Sequence, residues 1–293
     1  MSNDPINSIP YYLGTDLKEV SGQFRIICWS DKKQMIYFYL TLTGILAGVL
    51  GALLGIGGGI IMLPAIHFLL GFNTTEAVGT TLFAIMFTAA SGALGHLKKG
   101  NVIVKYAALV GGGGLLGVIA GSYIFKDYLS GNIRMLEIML GLLFLVMALR
   151  TGIESYRELR NRGQHNSNLD ASGNKTPRGG LVLLGVFTGT LTGVLGLGGG
   201  FIMVPAMMWF FGVKTYEAVG TTLLAMFPIA VLGGILKLQQ GFVDLSAGLL
   251  LGMGTIIGAM LGVYVSRMIK PVMIKVMFAF IFTYLAFNYL FIF

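Results

Sequence analysis

Of 293 residues, 55% are hydrophobic and only 11% charged, a balance far outside that of water-soluble domains, so the chain reads as a polytopic membrane protein. The net charge of +8 falls mainly between apolar stretches, where membrane topology accounts for it and no nucleic-acid partner is expected. A lone cysteine, Cys28, excludes an internal disulfide.

Residues 1–34 form a mixed, polar N-terminal segment without the charged-then-apolar-then-small order of a cleaved secretory signal, so none is expected. Apolar stretches follow at 35–54, 75–97, 105–125, 133–149, 181–195, 217–238, 245–265 and 273–293. Most approach the roughly 20 residues that a helix needs to cross a bilayer. Two others, 60–70 and 201–211, are too short, and each follows a cluster of glycines.

The first cluster, "GIGGGIIMLPA" at 55, returns as "GLGGGFIMVPA" at 196, and the offset of 141 residues holds without a gap through "EAVGTTL" at 76 and 217. The chain is thus a duplication, with transmembrane repeats at 35–149 and 181–293. A polar linker at 150–180 carries six Lys or Arg residues and is expected on the cytoplasmic side. If each short segment turns back as the second arm of a hairpin, each repeat crosses an odd number of times and the second is upside down. That arrangement puts Lys98, Lys99, Lys105, Lys214, Arg267, Lys270 and Lys275 on the linker's side and only Lys126 and Arg134 opposite. Parallel halves reverse the balance, to three against six; Lys32 and Lys33 dissent without overturning it. The predicted fold is therefore an all-α integral membrane protein built as an inverted repeat. Each half has a glycine-broken helical hairpin and three further transmembrane helices.

A helical segment of eleven or twelve residues rises about 18 Å, half the hydrocarbon thickness. Two such hairpins from opposite faces would bring Gly57, Gly58 and Gly59 together with Gly198, Gly199 and Gly200 near the midplane, where broken helices hold substrates in inverted-repeat transporters. Free N–H groups and the positive end of each short helix would suit a small anion, and glycine leaves no Cβ in its way. The same glycines would also serve close helix packing. The run lacks the Lys and Ser/Thr of a phosphate-binding loop, and neither a catalytic set, a cofactor motif nor a metal site is evident.

Thr80, Thr81, Thr221 and Thr222 lie a turn into the following helices, placed either to offer hydroxyls to the anion or to bond back to their own backbone. Glu76 and Glu217 fall in the first turn, where a carboxylate favours the helix dipole; proton coupling is the lesser alternative. His96 and Lys237 are equivalent by the repeat and are candidates for the anion's counter-charge. Both stand within a turn of a loop, which favours snorkelling to the interface. His67 and Trp209, on the short segments, are not repeat partners and are candidates for selectivity or anchoring.

On "GIGGGIIMLPA", "EAVGTT" and their copies, the sequence resembles the sulfite exporter TauE/SafE family, also described as toluene sulfonate uptake permeases, over 36–149 and 180–293. The resemblance implies a secondary transporter moving sulfite, organosulfonates or related anions and carboxylates across a prokaryotic cytoplasmic (inner) membrane. A proton or sodium ion would be the coupling partner. An anion channel would share much of this architecture. A membrane enzyme would need a nucleophile, base or metal cluster that three histidines and one cysteine do not supply.

Overall fold

The computed structural model describes residues 22–160, 178–266, 280 and 282–292. The N-terminal residues 1–21, the middle of the linker and residues 273–279, 281 and 293 of the last predicted apolar stretch lie outside them. All regular structure among the described residues is helical, as lipid demands of a chain whose backbone groups must be satisfied internally. The first repeat comprises α1 (Gly22–Leu54), the short α2 (Gly59–Pro64), α3 (Thr74–Lys98), α4 (Val104–Ile124) and α5 (Ile133–Arg160). The second comprises α6 (Arg178–Leu195), α7 (Gly200–Phe211), α8 (Thr215–Gln239) and α9 (Leu245–Val265), with a C-terminal helical segment over 282–292. Six helices among the described residues are long and apolar enough to cross a membrane: Gln34–Leu54 within α1, α3, Val104–Leu129 containing α4, α6, α8 and α9.

The offset of 141 residues carries the end of α1 onto the end of α6, and both ends of α3 and α4 onto those of α8 and α9. Helices pass the predicted limits at three places: α1 already begins at Gly22, inside the polar segment, while α5 runs on to Arg160 and α6 begins at Arg178, both inside the linker.

The halves interlock through small residues. Along α4, Gly113, Gly117 and Gly121 lie against the backbone of α6 at Val182, Val186 and Thr190; their equivalents Gly254, Gly258 and Gly262 lie against α1 at Thr41, Ile45 and Val49. Spacing of four residues keeps these glycines on one helix face, and backbone-to-backbone approach is what holds helices together in lipid, where apolar burial no longer drives association.

These contacts also fix direction. Positions advance together between α1 and α9, between α4 and α6, between α3 and α9 (Gly248 at Phe83, Gly252 at Phe87, Gly95 at Val263) and between α4 and α8 (Gly114 at Ile229, Gly233 at Val118). Between α3 and α8 they run in reverse: Gly79, near the start of α3, meets Phe242 beyond the end of α8, and Gly220 meets His96 and Asn101. So α1, α3 and α9 point one way and α4, α6 and α8 the other.

Candidate anion site at the crossing of two helix breaks

After Leu54 the chain leaves the helix. Gly55, Gly57 and Gly58 take positive φ, and Gly58 at +79° sets up the start of α2. Only glycine adopts that region without penalty. The N–H groups of Ile56 and Gly57 donate back to the Gly51 carbonyl, and Gly58 is packed against Ala47 and Gly51, so α2 folds back alongside α1. Gly196 and Gly198 repeat the device before α7, the Gly196 N–H donating to Thr192 O at 2.9 Å. The two short helices differ beyond their prolines. Beyond Pro64, α2 loosens into a π-helical turn over Ala65–Leu69, whereas α7 stays α-helical past Pro205.

The two breaks touch. A Cβ added at Gly59 would come within 2.5 Å of the Leu197 carbonyl oxygen, and one added at Gly200 would strike the Gly55 carbonyl oxygen. Gly57 and Gly198 both lie against the Met226 methyl group and against Ile85, its repeat equivalent. Ile85 and Met226 sit close to the midpoints of α3 and α8, which places the crossing halfway along the two central helices. All six glycines of the two triplets are buried. The first N–H groups of any α-helix lack an intrahelical acceptor, and α2 and α7 both begin here.

Ile85 and Met226 carry no polar signal and were absent from the sequence-derived candidates, although each follows Thr81 or Thr222 by four residues on the same helix face. Also missed were Thr188 and Thr192 on α6, which lie beside Gly199 where α1 has Ala47 and Gly51. Their hydroxyls donate to the Leu184 and Thr188 carbonyls at 2.7 and 2.8 Å, and the Thr192 Oγ1 lies beside the second break at Gly199.

The threonines of the two "GTT" motifs divide by role. Thr80 Oγ1 accepts the Asp244 N–H at 3.0 Å, and Thr221 Oγ1 accepts the Ile103 N–H at 2.9 Å, so each hydroxyl tethers the loop of the opposite half. Thr222 Oγ1 lies 3.6 Å from Met207 Sδ on α7, while the buried Thr81 Oγ1 has no hydrogen-bond partner among the described residues. Replacing Thr80 or Thr221 by Val strands a buried backbone donor, at a cost of about 1–3 kcal/mol. Each variant should therefore melt several degrees below the parent in detergent, with Thr80→Ser restoring the loss; unchanged melting would show the tethers to be idle.

Glu76 and Glu217 are half-buried in the first turns of α3 and α8, as the dipole favours. His67 belongs to the π-helical turn of the first hairpin: Nδ1 donates to Phe72 O at 2.8 Å, and the ring stacks on Tyr289 at 5.6 Å. That position is the far end of α2 from the glycines. The backbone of Trp209 lies in the last turn of α7, likewise remote from the break. His96 and Lys237 do not snorkel. Both are wholly buried, because loop residues 99–103 and 240–244 fold over the helix ends instead of leaving them in the interface. His96 Nε2 donates to the Ala52 carbonyl, in the last turn of α1. No cluster of His, Cys, Asp and Glu able to hold a metal ion occurs among the described residues.

The family model of the sulfite exporter TauE/SafE matches residues 40–289. The probable membrane transporter protein YdhB of Bacillus subtilis is 30% identical over 248 residues, covering 82% of this chain and 93% of that protein. YunE of the same organism, described in the same words, is 28% identical, with 80% and 89% covered. The archaeal probable membrane transporter protein MJ0441 of Methanocaldococcus jannaschii is 23% identical, with 81% and 89% covered. No solved structure gives a significant match. Matched from the apolar part of α1 to the C-terminal helical segment, the chain belongs to the sulfite exporter TauE/SafE family of membrane transporters.

Proposed function

We propose that this transporter is a secondary carrier for a small sulfur-containing or organic anion (sulfite, a sulfonate or a related species) across the cytoplasmic membrane, its two halves lying inverted in the bilayer. The opposed directions of the equivalent helices support the inversion. The observation that carries the site is the contact of the two breaks beside Ile85 and Met226, where α2 and α7 both begin. Each helix start presents about half a positive charge, and in a low-dielectric site two of them favour a monoanion over a neutral analogue. The amides of Gly58, Gly59, Gly198, Gly199 and Gly200 are the proposed donors, with Gly57, whose N–H goes to the Gly51 carbonyl, lining the site without a side chain, and Thr81 and Thr222 as hydroxyl neighbours. Domain limits follow the same reading: repeats at 35–149 and 181–293, joined by a cytoplasmic linker at 150–180.

The test is a thermal-shift panel on the purified protein with sulfite, thiosulfate, methanesulfonate, acetate and, as a neutral isostere, dimethyl sulfone. An anion at a hundred times its Kd should stabilise by about 2.7 kcal/mol, and dimethyl sulfone should not. A flat response to every anion would remove the proposal.

A further inference from the structure

Lys237 stands in the last turn of α8 with its side chain wholly enclosed. Its Nζ lies 2.9 Å from the centroid of the Phe125 ring and 5.8 Å from that of Phe242, and it has no hydrogen-bond partner among the described residues. Two other buried polar atoms on the flanking residues, Ser122 Oγ on α4 and Gln240 Oε1, also lack one, although Gln240 Nε2 donates to Ser122 O at 3.3 Å and ties the group together. Gly193, in the last turn of α6 just before the second break, packs against the backbone of Ser122. The first half is built differently: His96 holds the equivalent place, its Nε2 donating to Ala52 O while its buried Nδ1 has no partner among the described residues, and Lys99, the equivalent of Gln240, donates to Val263 O. Lys237 alone of this pair is left with an aromatic face.

The ionisable groups on the surrounding elements do not neutralise it. On α3 the first turn carries Glu76, half-buried, and the loop into α9 carries Asp244, whose Oδ1 accepts the Ala247 N–H. Beyond α4, Lys126 and Asp127 are exposed, and α6 from Leu181 onward carries no ionisable residue. An ammonium here would have exchanged its hydration for two ring faces, which return less than the desolvation takes. The enclosed amine thus lacks a counter-charge, and an anion at the neighbouring break would supply one.

We propose that Lys237 is the proton-carrying group of the transporter. When an anion binds, the Lys237 nitrogen lone pair takes one proton from a water molecule, one N–H bond forming as one O–H bond breaks and the hydroxide passing to the bulk buffer, and the proton leaves as the anion does. One proton thus travels with each anion, with no redox change. The inference rests on the anion-transport reading above and deepens it by naming the coupling ion as the proton.

Calorimetric titration in two buffers of different ionisation enthalpy, with methanesulfonate and thiosulfate as separate probes, reads protons taken up per anion bound. Neither probe titrates near neutral pH. For the unmodified protein the expected value is one proton; zero would overturn the proposal even though binding itself, and so the transport reading, survived. Lys237→Arg, permanently charged, should keep binding and take up none, and Lys237→Met should bind at least tenfold more weakly. Uptake unchanged in either variant would place the proton elsewhere. Failure of both probes to bind the unmodified protein would overturn the anion reading and this inference together.

Discussion

Gly200→Val should reduce anion binding and exchange by about a hundredfold or more. The added Cβ meets the Gly55 carbonyl oxygen, with the Ile56 Cα and the Met226 sulfur close behind. The first two are backbone of the opposite break and cannot rotate aside. Relief requires the breaks to separate, and overpacking of this kind costs about 1–3 kcal/mol, the upper end of which corresponds to the expected loss. Gly112→Val is the matched control: it also places valine on a glycine of a membrane helix, but an added Cβ there meets nothing within 4 Å. The informative result is a Gly200→Val protein that purifies with the same yield and elution as Gly112→Val and has lost its ligand. Full activity in Gly200→Val would show that the contact between breaks is dispensable.

The second large effect concerns orientation. Lys98 and Gln239 are equivalent by the repeat, end α3 and α8, and are both exposed. In a background with Cys28 replaced by Ser, Lys98→Cys and Gln239→Cys should react oppositely with a membrane-impermeant maleimide. Gln239→Cys should be modified in intact cells and Lys98→Cys only after permeabilisation, because the basic loop of 98–105 belongs with the linker on the cytoplasmic side. The difference is all-or-none. Modification of both from one side would require parallel halves, in conflict with the antiparallel packing of α3 on α8.

The long helices and the duplication were legible because lipid leaves an apolar stretch little choice but to be a helix, and the offset of 141 residues is a plain feature of the text. The glycine breaks were legible too, as runs such as 55–59 have no helical incentive. What a single chain position cannot display is its partner from the other half. Thr80 and Thr221 looked free to face a ligand, yet both hydroxyl oxygens serve loops more than a hundred residues away. Ile85 and Met226 looked like ordinary apolar filling until the fold laid both breaks against them. Lys237 was misjudged for a related reason: its closeness to the end of α8 promised an escape to the interface, which Phe125, arriving from the other repeat, closes off. Local pattern gave the elements, and long-range packing assigned their side chains.

Counterflow in proteoliposomes addresses the central claim most directly, that an anion is carried by the crossing of the two breaks. Vesicles loaded with a high concentration of the best-binding unlabelled anion from the panel are diluted into a trace of the same anion carrying a radiolabel. A carrier should accumulate label transiently above its external concentration, at a rate that saturates with substrate, and the Gly200→Val protein should show none of this. Label that only equilibrates, at a rate rising in proportion to concentration, would instead mark a channel and contradict the account.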